Sequence, residues 1–124
     1  VEIRNKYSKI CLGKKDVTLI KNELNISNEI VIFEGFFDYL TYRNLEKTNN
    51  STCDFLILNS TAIIFKVEEL LKEYDKISLF LDNDGNGEFV KSKIQYQYNN
   101  VEDCSLLYQN FKDLNEWNCS KEDL

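Results

Sequence analysis

Two aspartates one residue apart, Asp82 and Asp84, stand where the apolar run Leu79-Phe80-Leu81 breaks off, and Gly85 and Gly87 follow them. Carboxylates delivered by the exposed end of a buried strand are suited to hold a divalent cation, because hard cations prefer oxygen donors. Asp82, Asp84, Asn86 and Gly87 also fill the first, third, fifth and sixth positions of a calcium-binding loop. The calcium reading fails on both flanks. Lys93 occupies the twelfth position, where a bidentate Glu is required, and a cation there repels calcium. The loop should also be entered by a helix, whereas Ile77-Ser78-Leu79-Phe80-Leu81 is a short, nearly continuous apolar run with the character of a strand.

A second acidic position has the same setting. Glu34 directly follows the apolar run Ile30-Val31-Ile32-Phe33, and Asp38 lies one helical turn beyond it. In open parallel sheets, ligands bind at the carboxyl ends of the strands, where loops and helix N-termini gather in one crevice. Carboxylates sharing that edge repel one another unless a divalent cation neutralises them, and magnesium suits oxygen ligands that also meet phosphate. Singly, each residue has a plain alternative: Asp82 and Asp84 as solvated turn residues, Glu34 as a carboxylate favoured at a helix N-terminus. Jointly, strand-Glu-Gly and strand-Asp-x-Asp at successive units of one sheet argue for a site.

The elements that must position these groups repeat one plan of apolar run, turn and amphipathic segment. Glu29–Phe33 reads as a buried strand, followed by a helix from about Phe36 to Lys47 with Phe37, Tyr39 and Leu40 available for packing. Asp54–Leu58 reads as a strand, Asn59-Ser60-Thr61 as a helix cap, and Ile63, Ile64, Val67, Leu70, Leu71 and Tyr74 keep helical period. Ile77–Leu81, the acidic turn and a helix near Glu88–Tyr98 form the third unit. This alternation predicts an α/β fold, a mainly parallel sheet of about four strands covered by helices. Residues 1–28 predict a short N-terminal β extension, with strands at Glu2–Tyr7 and Val17–Ile20 around a basic loop, and residues 29–124 the core. A short strand at Val101–Cys104 and a helix start near Lys112–Trp117 complete the chain.

With 124 residues, 43% hydrophobic and 13% aromatic, the chain is one globular domain's worth. No segment approaches the ~20 apolar residues of a membrane span and no signal-peptide pattern opens the chain, so a cytoplasmic setting without a membrane partner is expected. The lack of Met and the opening Val1-Glu2-Ile3-Arg4 point to a domain excised from a longer polypeptide. Cys11, Cys53, Cys104 and Cys119 never come within metal-ligand spacing of one another and read as reduced thiols. Without His, chemistry here must run on carboxylates, Lys, Arg or a metal. A net charge of -6 argues against broad electrostatic wrapping of nucleic acid but leaves a cation-bridged phosphate open.

Phe33-Glu34-Gly35-Phe36-Phe37-Asp38-Tyr39-Leu40 resembles the Glu-Gly-x-x-Asp-x-Leu motif of Toprim domains, and Leu81-Asp82-Asn83-Asp84-Gly85-Asn86-Gly87 resembles their Asp-x-Asp-x-x-Gly motif. Glu2-Ile3-Arg4-Asn5, Gly13-Lys14-Lys15-Asp16-Val17-Thr18 and Phe111-Lys112-Asp113-Leu114-Asn115-Glu116-Trp117 are similar to bacterial-type primases of mobile elements, so the likeness spans nearly the whole chain. It implies a single Toprim, Rossmann-like domain of a DNA primase that makes RNA primers on single-stranded DNA. Asp82 and Asp84 would hold Mg2+, or Mn2+, and Glu34 would share a metal or act as general acid/base. Asp38 and Asp113 would be further metal ligands and Glu116 an auxiliary one. Arg4, Lys6, Lys14 and Lys15 would meet the triphosphate or template phosphates. Nucleoside triphosphates, template DNA and a helicase are the implied partners. Asn86 departs from the small Ala usual before the turn's last Gly, a geometric rather than chemical change. Such primases also carry a zinc-binding module and an upstream lobe, so this domain is expected to be inactive alone.

Two other readings compete. A Toprim nuclease or topoisomerase relative would keep the site and reverse the chemistry, although nothing marks a nucleophile among the seven Tyr. A receiver-like regulatory domain would need a nucleophilic Asp at the end of a middle strand, where Leu58-Asn59-Ser60 offers none.

Overall fold

A computed structural model of the chain describes residues 7–11, 17–22, 27–46, 53–59 and 68–121. Its elements are β1 (Tyr7–Cys11), β2 (Thr18–Asn22), β3 (Glu29–Phe33), α1 (Phe36–Glu46), β4 (Asp54–Ile57), α2 (Glu68–Leu71), β5 (Lys76–Phe80), α3 (Gly85–Gln97), β6 (Val101–Asp103), a 3-10 turn (Ser105–Tyr108) and α4 (Leu114–Lys121). The strands form one sheet in the order β1-β2-β4-β3-β5-β6. β4, β3, β5 and β6 are parallel, which is the expected four-strand core. β1 and β2 form an antiparallel pair that continues the sheet from the edge of β4, bringing the total to six strands.

Several bounds differ from the sequence reading. A strand is described over Tyr7–Cys11, and residues 2–6 of the expected strand Glu2–Tyr7 lie outside the described residues. The second helix is described only over Glu68–Leu71, so its expected cap and first turns also lie outside them. α3 starts at Gly85, three residues before Glu88, because the Asp84 side chain accepts from the Gly87 N–H at 2.8 Å and caps the helix there. The strand expected to be the middle one, β4, lies between β2 and β3, and β3 sits between β4 and β5.

Side chains of successive strand residues point to opposite faces, and the sheet uses both. Ile30, Ile32, Leu56, Ile77 and Leu79 pack on one face with Val90 and Ile94 of α3 and Leu71 of α2. Val31, Phe33, Phe55 and Phe80 face the other way, under α1 and α4. Phe33 is the hub of that second layer, with ring centroids 5.5 Å from both Tyr42 and Phe80 and 5.9 Å from Tyr39. Burying each such ring contributes about 1.5–3 kcal/mol, which fixes the height of β3 against β5. In that register Phe33 pairs with Phe80, so the chain leaves both strands at one level, with Glu34 next on one side and Leu81-Asp82 on the other. No helix among the described residues is long and apolar enough to cross a membrane.

Candidate metal centre

The two turns that leave β3 and β5 are tied to each other and to their surroundings. The Asp82 N–H donates to Glu34 Oε1 at 2.9 Å, a contact between residues 48 apart in sequence. After β3 the chain is pinned to the neighbouring segment by Leu58 N–H to Phe33 O and Asn59 N–H to Glu34 O, both 2.9 Å. Asn59 takes φ 60 to make that turn, a left-handed conformation that Asn tolerates.

The acidic turn is held from its other side. The Tyr108 hydroxyl donates to Leu81 O at 2.7 Å, and Asn83 Nδ2 donates to Tyr108 O and Phe111 O at 3.0 Å each. The Asn83 N–H adds a 2.6 Å bond to Lys112 O. Gly87 is where the turn comes closest to itself: a Cβ there would fall on the Asp82 carbonyl oxygen and lie 3.0 Å from Glu34 Oε1. Only glycine allows that approach.

Two groups of carboxylates result, Glu34 with Asp82 and Asp84, and Asp38 with Asp82 and Asp113. In each, one oxygen from every member lies within 4.8 Å of the others. Asp82 belongs to both. Asp38, 4% exposed, accepts from the Asn115 N–H at 3.0 Å, and Asn115 Oδ1 in turn accepts from the Thr41 hydroxyl at 3.0 Å. Asp113 accepts from the Glu116 N–H at 2.8 Å and so caps α4 while facing the site. A cavity of about 220 Å³ opens among Glu34, Asp38, Asp82, Asp113 and Asn115.

Electrostatics mark Asp82 as the focus. Burial, then repulsion from Glu34, Asp38, Asp113 and Asp84, pushes its pKa up to about 7. Burial also raises Asp38 to about 6, against the Asn115 hydrogen bond, and raises Glu34, against the bond from Asp82 N–H. Asp82 Oδ1 is buried without a hydrogen-bond partner. A carboxylate with one buried, unpartnered oxygen and four acids repelling it is unfavourable in isolation, and a divalent cation bound by it relieves both. The all-oxygen donor set fits Mg2+ or Mn2+.

Of the residues singled out from sequence, Glu34, Asp38, Asp82, Asp84 and Asp113 are thus brought together. Glu116 is exposed and belongs to neither group. Arg4, Lys6, Lys14 and Lys15 lie outside the described residues. Sequence reasoning assigned no role to Asn83, Tyr108 or Asn115, which hold the carboxylates in place. The partners of the Asn83 and Tyr108 side chains are backbone carbonyls 25 to 28 residues away, which no local pattern encodes.

The family model described as Toprim-like matches residues 31–118. Among curated proteins, none matches the chain. Among solved structures, the primase fragment of the bacteriophage T7 primase-helicase protein is similar, with TM-score 0.62 and 17% identity over 90% of this chain and 55% of that one. A bacteriophage T7 lagging-strand DNA polymerase complex, with primase domains bound to an RNA/DNA hybrid and dTTP, matches with TM-score 0.67 and 22% identity over 90% of this chain and 58% of that one. At these identities the likeness is one of fold, and the chain spans little more than half the length of either match.

Proposed function

This chain belongs to the Toprim-like family, and from that premise we propose that it is the magnesium-dependent nucleotidyl-transfer core of a DNA primase of the bacterial, mobile-element type. The observation that carries the reading is the Glu34, Asp82 and Asp84 group, one oxygen of each within 4.8 Å of the others, in which Asp82 also keeps a buried, unpartnered oxygen. Asp82 and Asp84 would hold Mg2+ or Mn2+, with Asp38 and Asp113, which form a second group with Asp82, as further ligands. When bound, the cation supplies Lewis-acid stabilisation to the charge that develops on phosphoryl oxygens. Glu34, with its proton affinity raised by burial and its Oε1 fixed by the Asp82 N–H, takes the proton of the 3'-hydroxyl as its oxygen bonds to the α-phosphorus of the incoming triphosphate and the bond from that phosphorus to pyrophosphate breaks, pyrophosphate leaving. The clamps from Asn83 and Tyr108 keep the carboxylates at fixed separation, so that little reorganisation is needed when the substrate arrives.

The substrates are nucleoside triphosphates and a single-stranded DNA template, in a cytoplasmic setting and alongside a helicase. Arg4, Lys6, Lys14 and Lys15 supply phosphate contacts, and priming needs the rest of the longer protein. Titration calorimetry with MgCl2 or MnCl2 tests the centre: binding is expected in the wild type and lost in Asp82→Ala and Asp84→Ala. Equal binding in both variants would refute the metal role. In the full-length protein, primer synthesis from ribonucleoside triphosphates that Asp82→Ala abolishes distinguishes a primase from a Toprim nuclease, which would cut DNA instead.

A further inference from the structure

Phe36 and Phe37 open α1 directly after the Glu34-Gly35 turn, and they are 45% and 70% exposed. Phe36 rests against Tyr39, with ring centroids 5.8 Å apart. Phe37 is the more open of the two, and it lines two cavities at once. One is the acidic cavity, and the other is a groove of about 520 Å³ between α1 and α4 that shares both Phe37 and Asn115 with it. That volume falls in the range of about 300–1,000 Å³ typical of small-ligand sites.

The groove's lining differs from both of its neighbours. Beside the ring of Phe37 and Leu40 it presents the carboxamides of Asn44, Asn115 and Asn118 and no carboxylate. By contrast, a separate groove bounded by Tyr42, Leu45, Phe80, Leu107 and Leu114 is lined by apolar and aromatic side chains alone, as a protein contact would be. An aromatic ring flanked by the carboxamides of Asn44 and Asn118, each with a donor and an acceptor, and by the NH2 of Asn115, whose oxygen already accepts from Thr41 and Cys119, suits a flat heteroaromatic ring with a polar edge. Because it shares Phe37 and Asn115 with the cavity read above as a phosphate site, the ring that fits it best is a nucleobase.

Resting on the reading of the acidic site given above, we propose that Phe37, with Phe36 beside it, is the stacking platform for the base of a nucleoside triphosphate whose phosphates lie at the acidic cavity. Asn44, Asn115 and Asn118 meet the edge of that base. Because every base has a π-face, the platform adds affinity without selecting sequence.

The test compares ATP with inorganic triphosphate, each titrated in MgCl2 into the 124-residue chain and its Phe37→Ala, Phe37→Trp and Asp82→Ala variants, with folding checked by circular dichroism. The wild type should bind ATP more tightly than triphosphate. Phe37→Ala should weaken ATP about tenfold and leave triphosphate unchanged, whereas Asp82→Ala should lose both. Phe37→Trp should keep ATP affinity, and in a Trp117→Phe background its fluorescence should be quenched by ATP but not by triphosphate. Wild-type binding of triphosphate with no further loss of ATP in Phe37→Ala would overturn the platform alone and assign the aromatic pair to a contact with another protein surface. No binding of magnesium or triphosphate by the folded wild type would instead overturn the metal centre, and the platform with it.

Discussion

At the amino end of β4, Asp54 is only 1% exposed, deeper than any carboxylate of the acidic site, yet nothing about it invites a ligand. Its Oδ1 accepts from the Asn22 N–H at 2.8 Å and its Oδ2 from the Tyr74 hydroxyl at 2.6 Å. At the other end of the same sheet Asp82 is half-buried, its Oδ1 has no partner, and its neighbours are acids. A buried carboxylate is therefore not in itself a sign of function. Satisfied on both oxygens, it fastens β2, β4 and the segment before β5 together; left unsatisfied among like charges, it is stable only with something added.

The two aspartates should respond oppositely to removal. Asp54→Ala removes two buried hydrogen bonds to a carboxylate, at about 1–3 kcal/mol each, so a loss on the order of 3 kcal/mol is expected in urea denaturation with EDTA present. Asp82→Ala removes a repelled charge and no hydrogen bond, so the metal-free chain at pH 8 should be as stable as the wild type or more so. A comparable loss from Asp82→Ala would mean that both ends are architectural, and the contrast would collapse.

A smaller effect belongs to the turn that places Asp82. Gly87→Ala sets a methyl on the Asp82 carbonyl oxygen, which as backbone cannot swing aside, and overpacking of this kind costs about 1–3 kcal/mol. Since that shift moves Asp82 itself, magnesium affinity should fall with stability. Gly85→Ala is the control, because a Cβ there meets nothing within 4 Å. Denaturation and calorimetry on the pair decide the matter: equal behaviour would show that the close approach is not what holds the site.

Much of this was legible from residue order. Glu34 one position past Phe33, and Asp82 two past Phe80, are enough to predict a shared edge once both runs are read as parallel strands. The order of strands was not legible, because pairing between distant segments depends on faces and registers that a local pattern leaves open. The start of α3 was missed for a different reason: Gly85-Asn86-Gly87 reads as turn, and the Asp84 cap overrides that propensity. Asp54 shows the converse. As the first letter of an apolar run it looks incidental, and its importance comes from Asn22 and Tyr74, 32 and 20 residues away.

The gentlest way to separate the two ends is pH. Asp82 and Asp38 are raised to about 7 and about 6 from 3.8, and Glu34 is raised from 4.5, each chiefly by burial. Between those ordinary values and the raised ones the folded chain holds more protons than the unfolded chain, so stability falls as pH rises. The contribution of these groups is full below about 3.8 and gone above about 7. The metal-free chain should therefore lose thermal stability from pH 5 to pH 8, and Asp82→Asn should flatten that decline. Magnesium reverses the trend, since it competes with protons for the same oxygens: its affinity should rise over the same interval, and saturating MgCl2 should remove the decline. Thermal denaturation at pH 5, 6, 7 and 8, in EDTA and in MgCl2, measures both slopes. Parallel curves for the wild type and Asp82→Asn in EDTA would mean that the acids do not feel one another, and the argument for a cation among them would lose its electrostatic half.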